Sequence, residues 1–94
     1  MIIRIVKMAF EPTQVNSFKI LFEENKNKIS SFEGCLHLDL LQDLHVPNQF
    51  FTYSHWKSEA CLEKYRSSDL FKNIWSATKV KFNQQPKAWS LLSV

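Results

Sequence analysis

Glycine occurs once in this chain of 94 residues, and proline three times. A turn-rich sandwich or barrel needs more of both, so regular elements joined by short connections are expected. Cysteine is nearly as scarce. Cys35 and Cys61 do not make a disulfide framework, and no long apolar region precedes a small-residue cleavage site after Met1-Ile2-Ile3-Arg4. The expectation is a cytoplasmic protein with two reduced thiols. No apolar run approaches the roughly 20 residues that span a bilayer, so no membrane association is expected. Charge of one sign is missing too. The 12 basic side chains are interspersed with 9 acidic ones for a net charge of +3. Nucleic acid recognition draws on a clustered basic face, and the sequence has none.

Apolar and aromatic residues are plentiful. Hydrophobic residues make up 45% of the chain and charged ones 22%, with 8 Phe, 3 Trp and 2 Tyr. That is globular composition, rich enough for a large core or an aromatic pocket, and it excludes disorder. A chain this short buries roughly 60–65% of its unfolded surface, which suits one domain over residues 1–94.

Residues 2–10 read as a strand with two apolar rows: Ile3, Ile5 and Ala9 on one, Ile2, Val6, Met8 and Phe10 on the other. Pro12 suits a first helical turn. Val15, Phe18, Leu21, Phe22, Ile29 and Phe32 then follow helical spacing, and Gly34 is the stop signal. Residues 35–43 alternate, with Leu36, Leu38 and Leu40 on one row and Cys35, His37, Asp39 and Leu41 on the other. After the turn His45-Val46-Pro47-Asn48, residues 49–57 form an aromatic-rich strand that closes a hairpin. Ser58 caps a short helix carrying Cys61, Leu62 and Tyr65. Ser68 caps another, with Leu70, Phe71, Ile74, Trp75, Thr78 and Phe82 on one side until Pro86 breaks it, and residues 88–94 close as a strand. The order β-α-β-β-α-β is the ferredoxin-like arrangement: an α+β fold whose four-stranded antiparallel sheet carries helices on one face only. Strands one and three are apolar on both rows, so the open face needs a second cover. A second copy of the same sheet supplies it, giving a homodimer.

Several side chains are candidates for chemistry. Trp56 has an indole N–H that can be aimed into an apolar cleft, or it is simply core. His37 and Asp39 share a row of strand two, and Tyr53 and His55 share a row of strand three. If the hairpin register brings these rows together, His37 or His55 beside a carboxylate is a general base; otherwise the four form the polar part of the dimer interface. Nothing in their spacing singles out a metal site. Arg4, alone in an apolar row, snorkels to the sheet edge or meets an anionic group in the pocket. Cys35 and Cys61 are read as small buried hydrophobes, and His45 as a solvent-exposed turn residue.

The segment Phe32-Glu33-Gly34-Cys35-Leu36, then Gln42-Asp43, then Phe51 followed by Trp56-Lys57-Ser58-Glu59-Ala60, resembles the antibiotic biosynthesis monooxygenase superfamily over the whole chain. The resemblance implies a dimeric α/β barrel. It also implies an activity drawn from a varied set: cofactor-independent oxygenation of anthrones and quinols, haem degradation, or isomerisation of a phosphorylated sugar-like signal. In the anthrone oxygenases a Trp ending strand three works beside an Asn four residues earlier and a Tyr six residues later. Trp56 matches here, but Thr52 and Leu62 stand at the other two positions. The haem-degrading members carry an iron ligand where this chain has Leu70, and a strand-one Asn near Val6.

The expected function is a cofactor-independent monooxygenase acting on a small aromatic or quinol-like substrate, with no metal and no cofactor. The alternative is a non-catalytic dimeric module that binds a small apolar molecule. Trp56, His37 and His55 are the catalytic candidates. The substrate row is Phe50, Thr52, Ser54 and Trp56, roofed by Leu62, Tyr65, Phe71, Ile74 and Trp75.

Overall fold

A computed structural model describes residues 1–94. Strand β1 spans Ile2–Ala9, and a short 3-10 turn at Pro12–Gln14 leads into helix α1, Val15–Ser30. Strands β2 (Cys35–Gln42) and β3 (Gln49–Trp56) form the expected hairpin. Helices α2 (Glu59–Arg66) and α3 (Asp69–Lys79) precede the last strand, β4 (Lys87–Leu91). The four strands lie in the order β2-β3-β1-β4, each pair antiparallel, as the ferredoxin-like α+β fold requires. No helix is long and apolar enough to cross a membrane.

The helices are placed by their apolar stripes and ended by local chemistry. On α1, Phe18, Phe22 and Ile29 are buried, at the spacing that keeps side chains on one helical face. Gly34 follows with φ +86°, a conformation that L side chains rarely adopt. A Cβ there would stand 2.5 Å from the Cβ of Cys61, so glycine is required twice over. Ser58 Oγ accepts from the Cys61 amide at 3.2 Å and Ser68 Oγ from the Phe71 amide at 3.1 Å, so both expected caps start their helices.

The core lies between sheet and helices in two clusters. Met8, Phe10, Phe18, Phe22 and Phe50 form one; Ile29, Trp56, Leu62 and Tyr65 form the other. The even-numbered row of β1 therefore faces the helices.

Strands β1, β2 and β3 each end one residue earlier than the sequence reading, and three boundaries depart further. Helix α1 stops at Ser30, and Phe32 lies beyond it with its amide on the Ile29 carbonyl. Helix α3 stops at Lys79, well before Pro86, because β1 competes for the chain that follows. Phe82 bridges Phe10, and the Asn83 amide bonds the Ala9 carbonyl at 3.0 Å. The last strand covers residues 87–91 rather than 88–94. A fourth departure concerns facing. Cys35 pairs with Trp56 but His37 pairs with His55, so a β-bulge sits at Leu36. The extra residue turns Cys35 to the helix side, against the second cluster, and leaves Leu36 exposed. Cys35 and His37 do not share a row.

Candidate functional site

Between the two core clusters the sheet and helices do not close. A cavity of about 280 Å³ remains. At the liquid's ~30 Å³ per molecule, that is room for about nine waters. Its walls are mainly apolar. Strand β1 contributes Val6 and Met8, α1 contributes Phe18, Phe22 and Ile29, and α3 contributes Phe71, Ile74 and Trp75. Aromatic packing fixes one side of it. The Tyr65 ring stacks on Trp56 at 4.9 Å and meets Phe71 edge-on at 5.2 Å, while Phe71 stacks on Trp75 at 5.9 Å.

Most of the expected substrate residues line this space: Thr52, Ser54, Trp56, Tyr65, Phe71 and Trp75. Phe50 does not. It lies at the far end of β3, opposite Met8, where its ring meets Phe10 and Phe18 edge-on and is 1% exposed. Nor does the Trp56 N–H point at a ligand. It donates to Ser54 Oγ at 3.0 Å, two residues back on the same row. Thr78 is likewise committed, its hydroxyl bonding the Ile74 carbonyl at 2.7 Å. The Thr52 and Tyr65 hydroxyls remain to meet a bound molecule. Burial, and then the nearby Cys35, hold the Tyr65 phenol well above its ordinary pKa, so it stays protonated and acts as a donor.

Arg4 reaches the sheet edge, the first of its two sequence readings. Its guanidinium reaches the edge strand, Nη1 donating to Ser90 Oγ at 2.9 Å, and it also borders the cavity. Arg66, at the end of α2, borders it as well and went unnoticed in the sequence; a basic residue in a last helical turn is so common that it carries no signal. Lys87 is at the rim, but its pairing with Lys7 turns its side chain to the other face of the sheet. No Asp, Glu or His lines the cavity.

The polar constellation does assemble, on the opposite face. His55 and Trp56 are consecutive on one strand, so they point to opposite sides of the sheet. In the register, His37 stands opposite His55 and Asp39 opposite Tyr53. His37 Nε2 meets Asp39 Oδ2 at 2.6 Å, and the His55 ring lies 4.9 Å from Tyr53 and 5.2 Å from His37. Trp56, His37 and His55 are therefore not one catalytic set: the sheet separates the indole from the imidazoles. The His55 Nε2 atom is buried with no partner within the chain. No group of three or more His, Cys, Asp or Glu side chains is arranged to hold a metal ion. Cys35 and Cys61 are free and half-buried, with burial raising the Cys35 thiol's pKa.

Residues 1–75 match the family model described as antibiotic biosynthesis monooxygenase. A solved structure of an antibiotic biosynthesis monooxygenase superposes at TM-score 0.93 with 20% identity, over 100% of this chain and 99% of its own. A conserved protein from Methanosarcina mazei Go1 superposes at TM-score 0.90 with 25% identity, over 97% and 91%. A third structure, from Nitrosomonas europaea, superposes at TM-score 0.92 with 16% identity, over 100% and 99%. No match was found among curated proteins.

Proposed function

The chain belongs to the antibiotic biosynthesis monooxygenase family, and we propose that it is a cofactor-independent monooxygenase whose small aromatic or quinol-like substrate occupies the cavity between sheet and helices. The observation that carries this reading is that the space is open. A core needed only for stability closes to native packing density, whereas here two core clusters stand apart around about 280 Å³ of aromatic-lined volume.

The chemistry asks little of the protein. A methylene flanked by electron-rich rings can become a carbonyl at the expense of O₂: one oxygen atom goes to carbon, the other leaves as water, and the substrate supplies all four electrons. The protein binds the substrate, excludes water and favours its ionised, electron-rich form. Trp56, Phe71 and Trp75 supply ring surface, and Thr52 and Tyr65 supply hydroxyls that orient a planar ligand.

The opposite sheet face belongs to a second copy of the chain. Ile3, Ile5, Phe51, Tyr53, Trp89 and Leu91 fall on it by register, and Trp89 and Leu91 are each 43% exposed. An apolar patch that spans a whole sheet marks an association surface. Pairing would also give His55 Nε2 a partner, so His37, Asp39, Tyr53 and His55 are assigned to the dimer interface.

Oxygen uptake across a panel of anthrones and quinols, with no added cofactor, tests the activity. Uptake with one atom of ¹⁸O₂ found in the product is the expected result. Compounds that bind the cavity without consuming oxygen would make the protein a binding module instead.

A further inference from the structure

Two guanidiniums stand at the opening of an apolar cavity that has no carboxylate in its lining. Arg4 comes from β1 and Arg66 from the end of α2. Arg66 is exposed and Arg4 half-buried, while Trp56 and Phe18 at the walls are buried, so the cations sit toward solvent and the rings lie deeper. Arg4 takes part in none of the three ion pairs in the molecule; its one side-chain bond is to the neutral Ser90 hydroxyl. A guanidinium offers five N–H donors in a planar fork, so most of Arg4's capacity is unused. Arg66 Nη1 donates to Glu63 Oε1 at 3.0 Å, but that carboxylate is 55% exposed and lies outside the cavity. The two arginines feel each other. Burial first, and then the charge of Arg66, depress the Arg4 pKa against the opposing pull of Glu63. An anion placed between them relieves both penalties.

A second observation points the same way. Forming an electron-rich carbanion or phenolate calls for a base, and none lines the cavity: it has no carboxylate and no imidazole, and Tyr65 is held protonated. The ligand's own ionisation must supply the reactive charge, and fixed cations are what hold a ligand in that form.

We propose that the cavity selects aromatic oxyanions. The ligand is a compact planar ring system bearing a carboxylate or an ionised phenolic oxygen, which lies against Arg4 and Arg66 while the rings enter toward Trp56, Tyr65 and Phe71. This rests on the reading of the cavity as the substrate site. Arg4 sets the specificity, because a bidentate fork recognises a planar oxyanion and a neutral isostere leaves it empty.

The test compares 2-naphthoate with 2-naphthamide, the same rings without the charge, by calorimetric titration of the intact protein. The acid binds about 10- to 100-fold tighter, the range that one charge-assisted hydrogen bond provides. That advantage shrinks as salt is raised. Arg4→Gln removes the preference while leaving amide binding in place, and Arg4→Lys retains part of it. Equal affinity of the wild type for acid and amide overturns the inference and leaves the cavity reading standing. Failure of both compounds to bind overturns the two together. An Arg4→Gln protein with an unchanged melting temperature and an unchanged preference for the acid also overturns it. If Arg4→Gln does not fold, Arg66→Gln at the exposed rim takes its place, with a several-fold loss of preference expected and an unchanged one counting against the inference.

Discussion

The indole of Trp56 reads from the sequence as a donor aimed into the cleft or as core, and in the structure Ser54 takes its N–H at 3.0 Å where the Trp is 1% exposed. A buried donor that already has a partner stabilises the fold and has nothing left for a substrate. Trp56→Phe keeps most of the ring stacking on Tyr65 and loses that bond, at about 1 kcal/mol. In a chain of this size the melting temperature should fall by about 4–8 °C. Affinity for an aromatic ligand should change by less than about threefold, since only ring surface is altered. Thermal melts and titrations on the same variant check both halves; a large affinity loss at an unchanged melting temperature would restore Trp56 as a ligand donor.

Among the elements, the joint between α2 and α3 controls the cavity. Ser67 ends one helix and Ser68 starts the next: the Ser68 hydroxyl donates to the Tyr65 carbonyl and accepts from the Phe71 amide. Tyr65 and Phe71 are both cavity walls, so the cap that sets the helix start also sets the roof. Ser68→Ala should cost about 1 kcal/mol, typical of a lost N-cap. It should also weaken aromatic ligand binding, because the first turn of α3 frays where Phe71 sits. Chemical denaturation paired with a binding titration measures the two effects, and a stability loss with intact binding would detach the roof from the cap. The caps were legible in the sequence because serine before an apolar stripe is a local signal. The far end of α3 was not. Pro86 looked like the stop, but the chain leaves the helix after Lys79 for the hydrogen bonds that the end of β1 offers to Asn83 and through the Phe10–Phe82 bridge. A competition between two backbone partners far apart in sequence leaves no mark in local periodicity.

At the scale of the whole molecule, the proposed dimer rests on the helix-free face. Sedimentation equilibrium at micromolar concentration should give twice the monomer mass, with an interface of more than about 2,000 Å² in total, as obligate dimers of this kind often bury. Trp89→Asp puts a charge on that face, on the edge strand β4, at a side chain the single chain leaves 43% exposed. It should yield a folded monomer, seen as a halved mass with an unchanged far-ultraviolet circular dichroism spectrum. A wild-type monomer would remove the proposed cover from this face and leave His55 Nε2 without its partner.

The sequence by itself determined the element order, the antiparallel sheet and which residues share each row of β1 and β3, because periods of two and 3.6 are local properties of the chain. It also marked Gly34 as the stop after the first helix and put Phe50, Thr52, Ser54 and Trp56 on one row of the third strand. Three things were decided only by tertiary structure. The bulge at Leu36 moved Cys35 across the sheet, since one unpaired residue reverses every facing on its far side. Strand alternation alone parts Trp56 from His55, but only the β2–β3 register put His37 beside His55 on the far side of the sheet. Arg4 on β1 and Arg66 at the end of α2, more than half the chain apart, came to border the same cavity. Strand and helix patterns say which way a side chain faces; only packing says which distant side chain it faces.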